Sequence, residues 1–375
     1  MAKDCLPCGA KARAQAATVQ TPRQQLAQRV VDLEHLKLLA WVHKYPPTHN
    51  AGAEWMLHHT LRYLNNRGHE SRVLVRDQVH IPGGGEVFDG IHITSRPGQG
   101  TLRLWEKWAT HVITHLDVTG PAMALASRLR LPEVHLVHNH RQLAFHRVRP
   151  DPRRLAVFNS QWLRQASQWG GESMVLHPPV PPERYRIEPD GDRIMLFNLS
   201  PAKGAALFYA LAEANPDLGF TGVAGAYAKQ LPPPNPLPAN LELVGHDPDV
   251  RKLLARARVV LMPSSYESWG RVAIEAGASG IPTIVSTTKG LLESTAGAML
   301  ALPVTAERSG KVAGRTTEAV EAPLTDVENW TRGIRAVLAD WENFSRTALK
   351  RSIEVWATTL QQLSELDRRL RAMAS

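Results

Sequence analysis

Between Leu261 and Glu293 the chain reads LMPSSYESWGRVAIEAGASGIPTIVSTTKGLLE, and no other stretch limits the possible folds as tightly. The apolar run Arg258 to Met262 is short and β-branched, which predicts a buried parallel strand. Pro263-Ser264-Ser265 breaks that strand, and Glu267-Ser268-Trp269-Gly270 leads into a helix expected over Arg271–Ser279. A second strand is expected from Pro282 to Val285 after Gly280. The unit is strand, loop, helix, strand of a parallel sheet, with polar residues in the loop where such sheets bind ligands.

Two carboxylates stand out, Glu267 in the loop and Glu275 on the helix. Their spacing is about 12 Å at the helical rise, too far for mutual pairing but within reach of one elongated ligand. Ionised carboxylates only accept hydrogen bonds, so hydroxyls are their natural partners. The amides at the helix start between them suit an anion. Hydroxyls at both ends and an anion in the middle describe a sugar nucleotide. The plainer alternative makes Glu275 a solvated helix residue and Glu267 a charge that favours the helix dipole.

The whole run Pro263-Ser264-x-x-Glu267-Ser268-Trp269-Gly270-Arg271-Val272-x-x-Glu275-Ala276-x-Ala278-x-Gly280-x-Pro282 resembles the donor-site motif of GT-B glycosyltransferases, in particular glycosyltransferase family 4. Other segments resemble the family in chain order. Gly52 and Glu54 stand where the family has a small-residue loop before an acidic helix start, although a tight turn with a first-turn Glu explains them equally. His138 follows the strand Val134–Val137, and His115 and Asp117 follow another that starts at Val112. Polar residues after strand ends face the crevice of an open α/β sheet. Arg141 begins an Arg-rich segment that reads either as a solvated face or as an anionic acceptor site. Lys203-Gly204, before a helix expected over Ala205–Ala214, resembles the family's diphosphate-binding pair, and Gly225 stands at its glycine turn near the nucleotide. Two positions depart from the pattern. Asn198 stands where many members have Arg, which leaves Arg271 as a candidate to supply the missing charge, and Lys289 replaces a usual Gly in an expected loop.

The resemblance implies an α/β protein of GT-B fold: two Rossmann-like domains facing across a cleft, with a C-terminal helix crossing back to the first. The expected division is an N-terminal extension over 1–35, an acceptor-side domain over 36–180, a nucleotide-sugar domain over 181–344 and a returning helix over 345–375. It implies a retaining transfer of sugar from a nucleotide-diphosphate sugar to a hydroxyl, with no cofactor and no divalent metal required. His138, Glu267 and Lys203 would be catalytic. Glu275, Asn198, Gly204, Gly225, Ser268, Trp269, Gly270 and Arg271 would bind the donor, and Gly52, Glu54, His115, Asp117 and Arg141 would face the acceptor. The same fold also supports an epimerase-like enzyme acting on the sugar nucleotide itself, and a decayed sugar-nucleotide-binding or assembly protein.

Composition narrows the setting but not the acceptor. No apolar run among the 375 residues approaches a membrane span, and the first residues, MAKDCLPCGAKARAQ, lack the apolar core of a secretory signal, so a cytoplasmic protein is expected. Cys5 and Cys8 could be half a zinc site or a redox pair, but no second Cys/His pair stands at the usual spacing. The net charge of +9 suits phosphate-bearing partners and does not choose among substrate, membrane surface and nucleic acid. A small or lipid-linked acceptor, a modified nucleic-acid base and a protein side chain all remain open, as does the oligomeric state. Gly83-Gly84-Gly85 reads as a turn, since no Walker pattern follows it, and Asp247-Pro248-Asp249 as a helix cap rather than a metal motif.

Overall fold

The computed structural model describes residues 35–77, 86–95, 98–225, 227–305 and 322–374. The segment from Pro22 to Leu33, whose sequence suits a helix, the Cys5/Cys8 pair and the triple glycine at 83–85 lie outside them. Among the described residues the first half builds an eight-stranded sheet in the order β3-β4-β2-β1-β5-β6-β7-β8. Its strands are β1 Lys37–Val42, β2 Glu70–Val75, β3 Glu86–Phe88, β4 Ile91–Ser95, β5 His111–His115, β6 Glu133–Val137, β7 Arg154–Phe158 and β8 Ser173–Val175. All neighbours pair in parallel except β3 and β4. The run from Phe88 to Thr94, which reads in sequence as one strand, is divided between the two strands of this antiparallel hairpin. Asp89 and Gly90, with φ of 49° and 79°, make its two-residue turn, a sequence signal for the primed turn that matches strand twist.

The second half builds a six-stranded parallel sheet in the order β11-β10-β9-β12-β13-β14. The strands are β9 Arg193–Phe197, β10 Phe220–Val223, β11 Leu241–Val244, β12 Ala257–Met262, β13 Thr283–Ser286 and β14 Leu300–Leu302. That is the doubly wound order 3-2-1-4-5-6, whose direction reverses between β9 and β12. In the first sheet the reversal falls between β1 and β5. Ligand crevices form beyond the carboxyl ends of strands at such points. The central strands β1, β9 and β12 read as nearly continuous apolar runs and are mostly buried.

Two helices tie the sheets to the site. The first, α1 (Gly52–Asn66), follows β1 and buries Met56, Leu57, Leu61 and Leu64 against the first sheet. The last, α2 (Trp341–Ala374), starts four residues before the expected Ser345 and runs 34 residues without interruption. Its first half packs on the second domain: Ser352 donates to the carbonyl of Ile274, and Ala348 joins that domain's core. Its second half buries Leu363, Leu366 and Leu370 in the first domain's core, each contributing about 1.5–3 kcal/mol of apolar burial. The expected crossing of the helix back to the first domain is thus present.

Asp367 fixes where α2 lands. It is buried and accepts from His69 Nε2 at 2.8 Å, Arg371 Nε at 2.8 Å and Arg67 Nε at 3.2 Å. Burial alone would push its carboxyl up, but the bonds from His69, Arg371 and Arg67 outweigh burial and hold it below its ordinary 3.8. A depressed carboxylate contributes stability above its unfolded value, and that contribution fades as pH falls through the lower folded value. Asp367→Asn should therefore cost about 2 kcal/mol at neutral pH and flatten the acid limb of stability below about pH 4. Urea denaturation across pH checks both; an unchanged midpoint would remove Asp367 as the anchor.

Candidate functional site

The carboxyl ends of the two sheets face each other across a cleft of about 930 Å³. From the second domain, Asn198, Lys203, Gly225, Glu267, Ser268, Gly270, Arg271 and Glu275 line it; from the first come His43, His49, Gly52, Glu54 and His138. The loops that deliver them follow from the strand ends: Asn198 from β9, Glu267 from β12, His43 from β1 and His138 from β6.

On the second-domain side, Lys203 forms a close ion pair with Glu267, whose Oε1 also accepts from Ser264 Oγ at 3.3 Å. Burial would lower the Lys203 ammonium, yet Glu267 and the Tyr227 hydroxyl outweigh burial and raise it, so it remains a cation at all ordinary pH. Gly204 does not line the cleft but makes the turn possible. Its φ is +84°, and a Cβ there would lie 2.5 Å from the carbonyl oxygen of Pro263. Gly290 has a similar role, since a Cβ would lie 2.3 Å from the carbonyl oxygen of Glu267 and displace the loop. Gly290 belongs to a helix over Lys289–Thr295, not to the expected loop.

Glu275 holds Arg271 in a buried ion pair one helical turn away. The Arg271 guanidinium also donates to the carbonyl of Pro179 at 3.2 Å and to the Tyr185 hydroxyl. Arg271 was a candidate to replace the missing cation at Asn198, and the structure corrects this: its donors are occupied by Glu275 and by the segment between the domains. The structure also accounts for the asparagine. Asn198 has φ +70°, the left-handed region that Asn tolerates better than Arg. Its Oδ1 accepts from Ser200 N and Gln230 Nε2, both at 3.1 Å, and pins the glycine turn around Gly225.

Ser268 and Trp269, which also line the cleft, take part in joining the domains. The Ser268 hydroxyl accepts from Asn159 Nδ2 at 2.8 Å, and its carbonyl accepts from Trp162 Nε1 at 2.9 Å, so this residue joins the domains. The Trp269 ring is buried and stacks on His177 with centroids 4.0 Å apart. Glu293 completes the junction by accepting from the amides of Gln161 at 2.7 Å and Trp162 at 2.9 Å at the start of a first-domain helix.

On the first-domain side, the His138 amide donates to Gln142 Oε1 at 3.1 Å, and Gln142 Nε2 donates to the carbonyl of Leu136 at 2.9 Å, which sets the loop. Burial, with His43 nearby, lowers His138 to about 3, so it is a neutral imidazole at neutral pH. His115 is fully buried behind it, with Nδ1 at 3.2 Å from His138 Nε2. Burial raises Glu54 to about 7 and lowers His49 to about 4. Three expected acceptor-side residues do not line the cleft: His115, buried behind His138, and Asp117 and Arg141. Asp117 is exposed on a 3₁₀ turn over Leu116–Val118, and Arg141 is exposed before a short helix over Gln142–Phe145; neither lines the cleft. For Asp117 the reason is local, because the chain turns into helix directly after β5 instead of extending as a polar loop. His43, His49 and Tyr185 are site residues that motif reading passed over. The two histidines bracketing the loop after β1 were a usable signal; nothing local marks Tyr185.

If the left-handed backbone explains Asn198, then Asn198→Arg, which installs the residue common in the resembled family, should destabilise by about 1–2 kcal/mol. A denaturation midpoint equal to the parent's would show that the backbone relaxes there.

Residues 245–363 match a model described as family 4 glycosyltransferase in conflict systems. No curated protein sequence matches the chain. Among solved structures, Anabaena HepE in complex with UDP-glucose is similar with a TM-score of 0.64 at 18% identity, over 88% of this chain and 99% of that one. Sucrose-phosphate synthase from Thermosynechococcus elongatus gives 0.64 at 15% identity, over 90% and 99%. The pneumococcal O-GlcNAc transferase GtfA, in complex with UDP and GlcNAc, gives 0.64 at 8% identity, also over 90% and 99%. At such identities the likeness speaks for architecture. The chain has the GT-B fold, and the part of it that carries the two-glutamate motif matches a family 4 glycosyltransferase model.

Proposed function

We propose that the protein is a retaining glycosyltransferase that moves a sugar from a nucleotide-diphosphate sugar to a hydroxyl acceptor in the interdomain cleft. The observation that carries this reading is the convergence on one cleft of the Lys203–Glu267 pair, Glu275 and a neutral His138. Glu275, acceptor only when ionised, takes the ribose hydroxyls. Lys203 and the amides at the start of the Arg271–Gly277 helix meet the diphosphate, and Glu267 takes hydroxyls of the donor sugar. His138 sits beside the anomeric carbon, with Gly52 and Glu54 on the acceptor side. As the bond from the anomeric carbon to the diphosphate breaks, Lys203 stabilises the developing negative charge, and the acceptor hydroxyl attacks from the same face and gives its proton to the departing phosphate oxygen. Stabilisation of the leaving group by a fixed cation and oriented amides needs no divalent metal at the diphosphate. HepE and GtfA, which share the fold, have been seen with UDP-glucose and with UDP and GlcNAc, which supports a nucleotide-sugar donor.

Two variants test the roles. Glu275→Gln should weaken donor binding about tenfold or more, near 1.4 kcal/mol, as read by calorimetry. Unchanged affinity would remove the ribose assignment. His138→Ala should cut turnover of a labelled donor by about 100-fold or more while donor affinity moves far less. Equal turnover would leave His138 a structural residue.

A further inference from the structure

The first-domain wall of the cleft gathers three residues that this donor chemistry does not use. His43 follows β1, Glu54 stands in the first turn of α1, and His115 ends β5. Since β1 and β5 are adjacent parallel strands at the reversal point of the sheet, their ends bring His43 and His115 together. One ligand atom from each of His43, Glu54 and His115 lies within 4.8 Å of the others. A tetrahedral ion with bonds of about 2.0–2.2 Å places its ligand atoms about 3.4 Å apart, so small side-chain rotations would close the set. The His43 Nε2 to Glu54 Oε1 distance is already 3.5 Å.

The unmet bonding in this cluster is a second observation. Glu54 and His115 are 1% and 0% exposed, yet Glu54 Oε2, His115 Nε2 and His43 Nδ1 have no hydrogen-bond partner among the described residues. Buried polar atoms are nearly always satisfied, so the unsatisfied Glu54 Oε2 and His115 Nε2, in a cluster that His43 joins through its Nε2, point to a missing partner. The chemistry of the set says which kind. When His115 donates Nδ1–H to His138 Nε2, its Nε2 presents a lone pair, the arrangement by which an outer residue orients a metal-binding imidazole. Two imidazoles and a carboxylate suit zinc and its neighbours better than magnesium or calcium, which prefer oxygen alone.

We infer that His43, Glu54 and His115 form a site for one divalent transition-metal ion of the zinc class. His43 and Glu54 line the cleft, so the ion's remaining coordination position opens onto it, where it would take an oxygen of the acceptor. The site lies on the wall opposite Lys203 and Glu267. It leaves the donor diphosphate to Lys203 and adds a metal where none was expected.

The test is metal binding itself, read without donor or acceptor. Full-length protein stripped with chelator is titrated with Zn2+ by calorimetry and with Co2+ by visible absorption. The same is done in a Cys5→Ser, Cys8→Ser background, so that thiols contribute nothing. The expected result is one ion per chain in both, with tetrahedral Co2+ bands, and binding weakened about 100-fold or more by His43→Gln, Glu54→Gln or His115→Gln. Nucleotide-sugar binding, measured on the same samples, reports whether each variant is folded. Should His115→Gln not fold, the two variants at the cleft surface carry the comparison. Absence of stoichiometric binding in the Cys-free protein, or binding indifferent to all three substitutions, overturns the site. Neither outcome touches the donor assignment.

Discussion

Everything at the cleft depends on two separately folded sheets being held at one mutual position, and the helix α2 supplies that constraint. Its Ala348–Ser352 turn lies so close to the second domain that a Cβ at Gly277 would be 2.9 Å from the carbonyl oxygen of Ala348. Three turns later the same helix is part of the first domain's core through Leu363, Leu366 and Leu370. A single stiff element rooted in both cores makes the domains partners without fusing their sheets.

The facing surfaces tie the Glu267 loop to the first domain. Ser268, one residue beyond Glu267, is bonded from the first domain by Asn159 and Trp162, while Glu293 caps the helix start at Gln161 and Trp162. The loop that would hold the sugar is therefore shaped by contacts that exist only when the domains meet. Asn50 adds a bond from the first domain to the carbonyls of Asp247 and Pro248 at the far rim, each at 3.2 Å. Arg271 has a comparable role at the hinge side. By binding Glu275, Tyr185 and Pro179 together, it joins the motif helix to the segment that links the domains.

Much of this was legible in the chain because it is local. The helix Ala205–Ala214 appears with the expected ends, and the strands Lys37–Val42, Phe220–Val223 and Leu241–Val244 coincide with apolar runs, since apolar runs between turn residues carry their own boundaries. Ser160 caps its helix as its residue type suggests, and Asp249 does the same before Val250. What was not legible is what depends on neighbours far along the chain. Arg271 reads as a free cation until Tyr185, from the linker, arrives beside it. The closeness of His43 to His115 depends on strand order rather than on spacing. Asn198 reads as a lost charge, whereas its backbone conformation is the reason for its identity. Asp117 was placed in the cleft by position after a strand, a rule that holds only when the chain continues outward as a loop.

The most direct measurement is the melting temperature of the protein against a panel of UDP-, GDP-, ADP- and dTDP-sugars, with and without chelator. A ligand that binds the folded cleft raises the melting temperature by mass action. The account predicts a clear stabilisation by one nucleotide class, lost in Glu275→Gln and unaffected by chelator, because the donor is held by side chains and amides of the second domain. Indifference to every nucleotide sugar would contradict it and leave a GT-B fold whose cleft serves some other ligand.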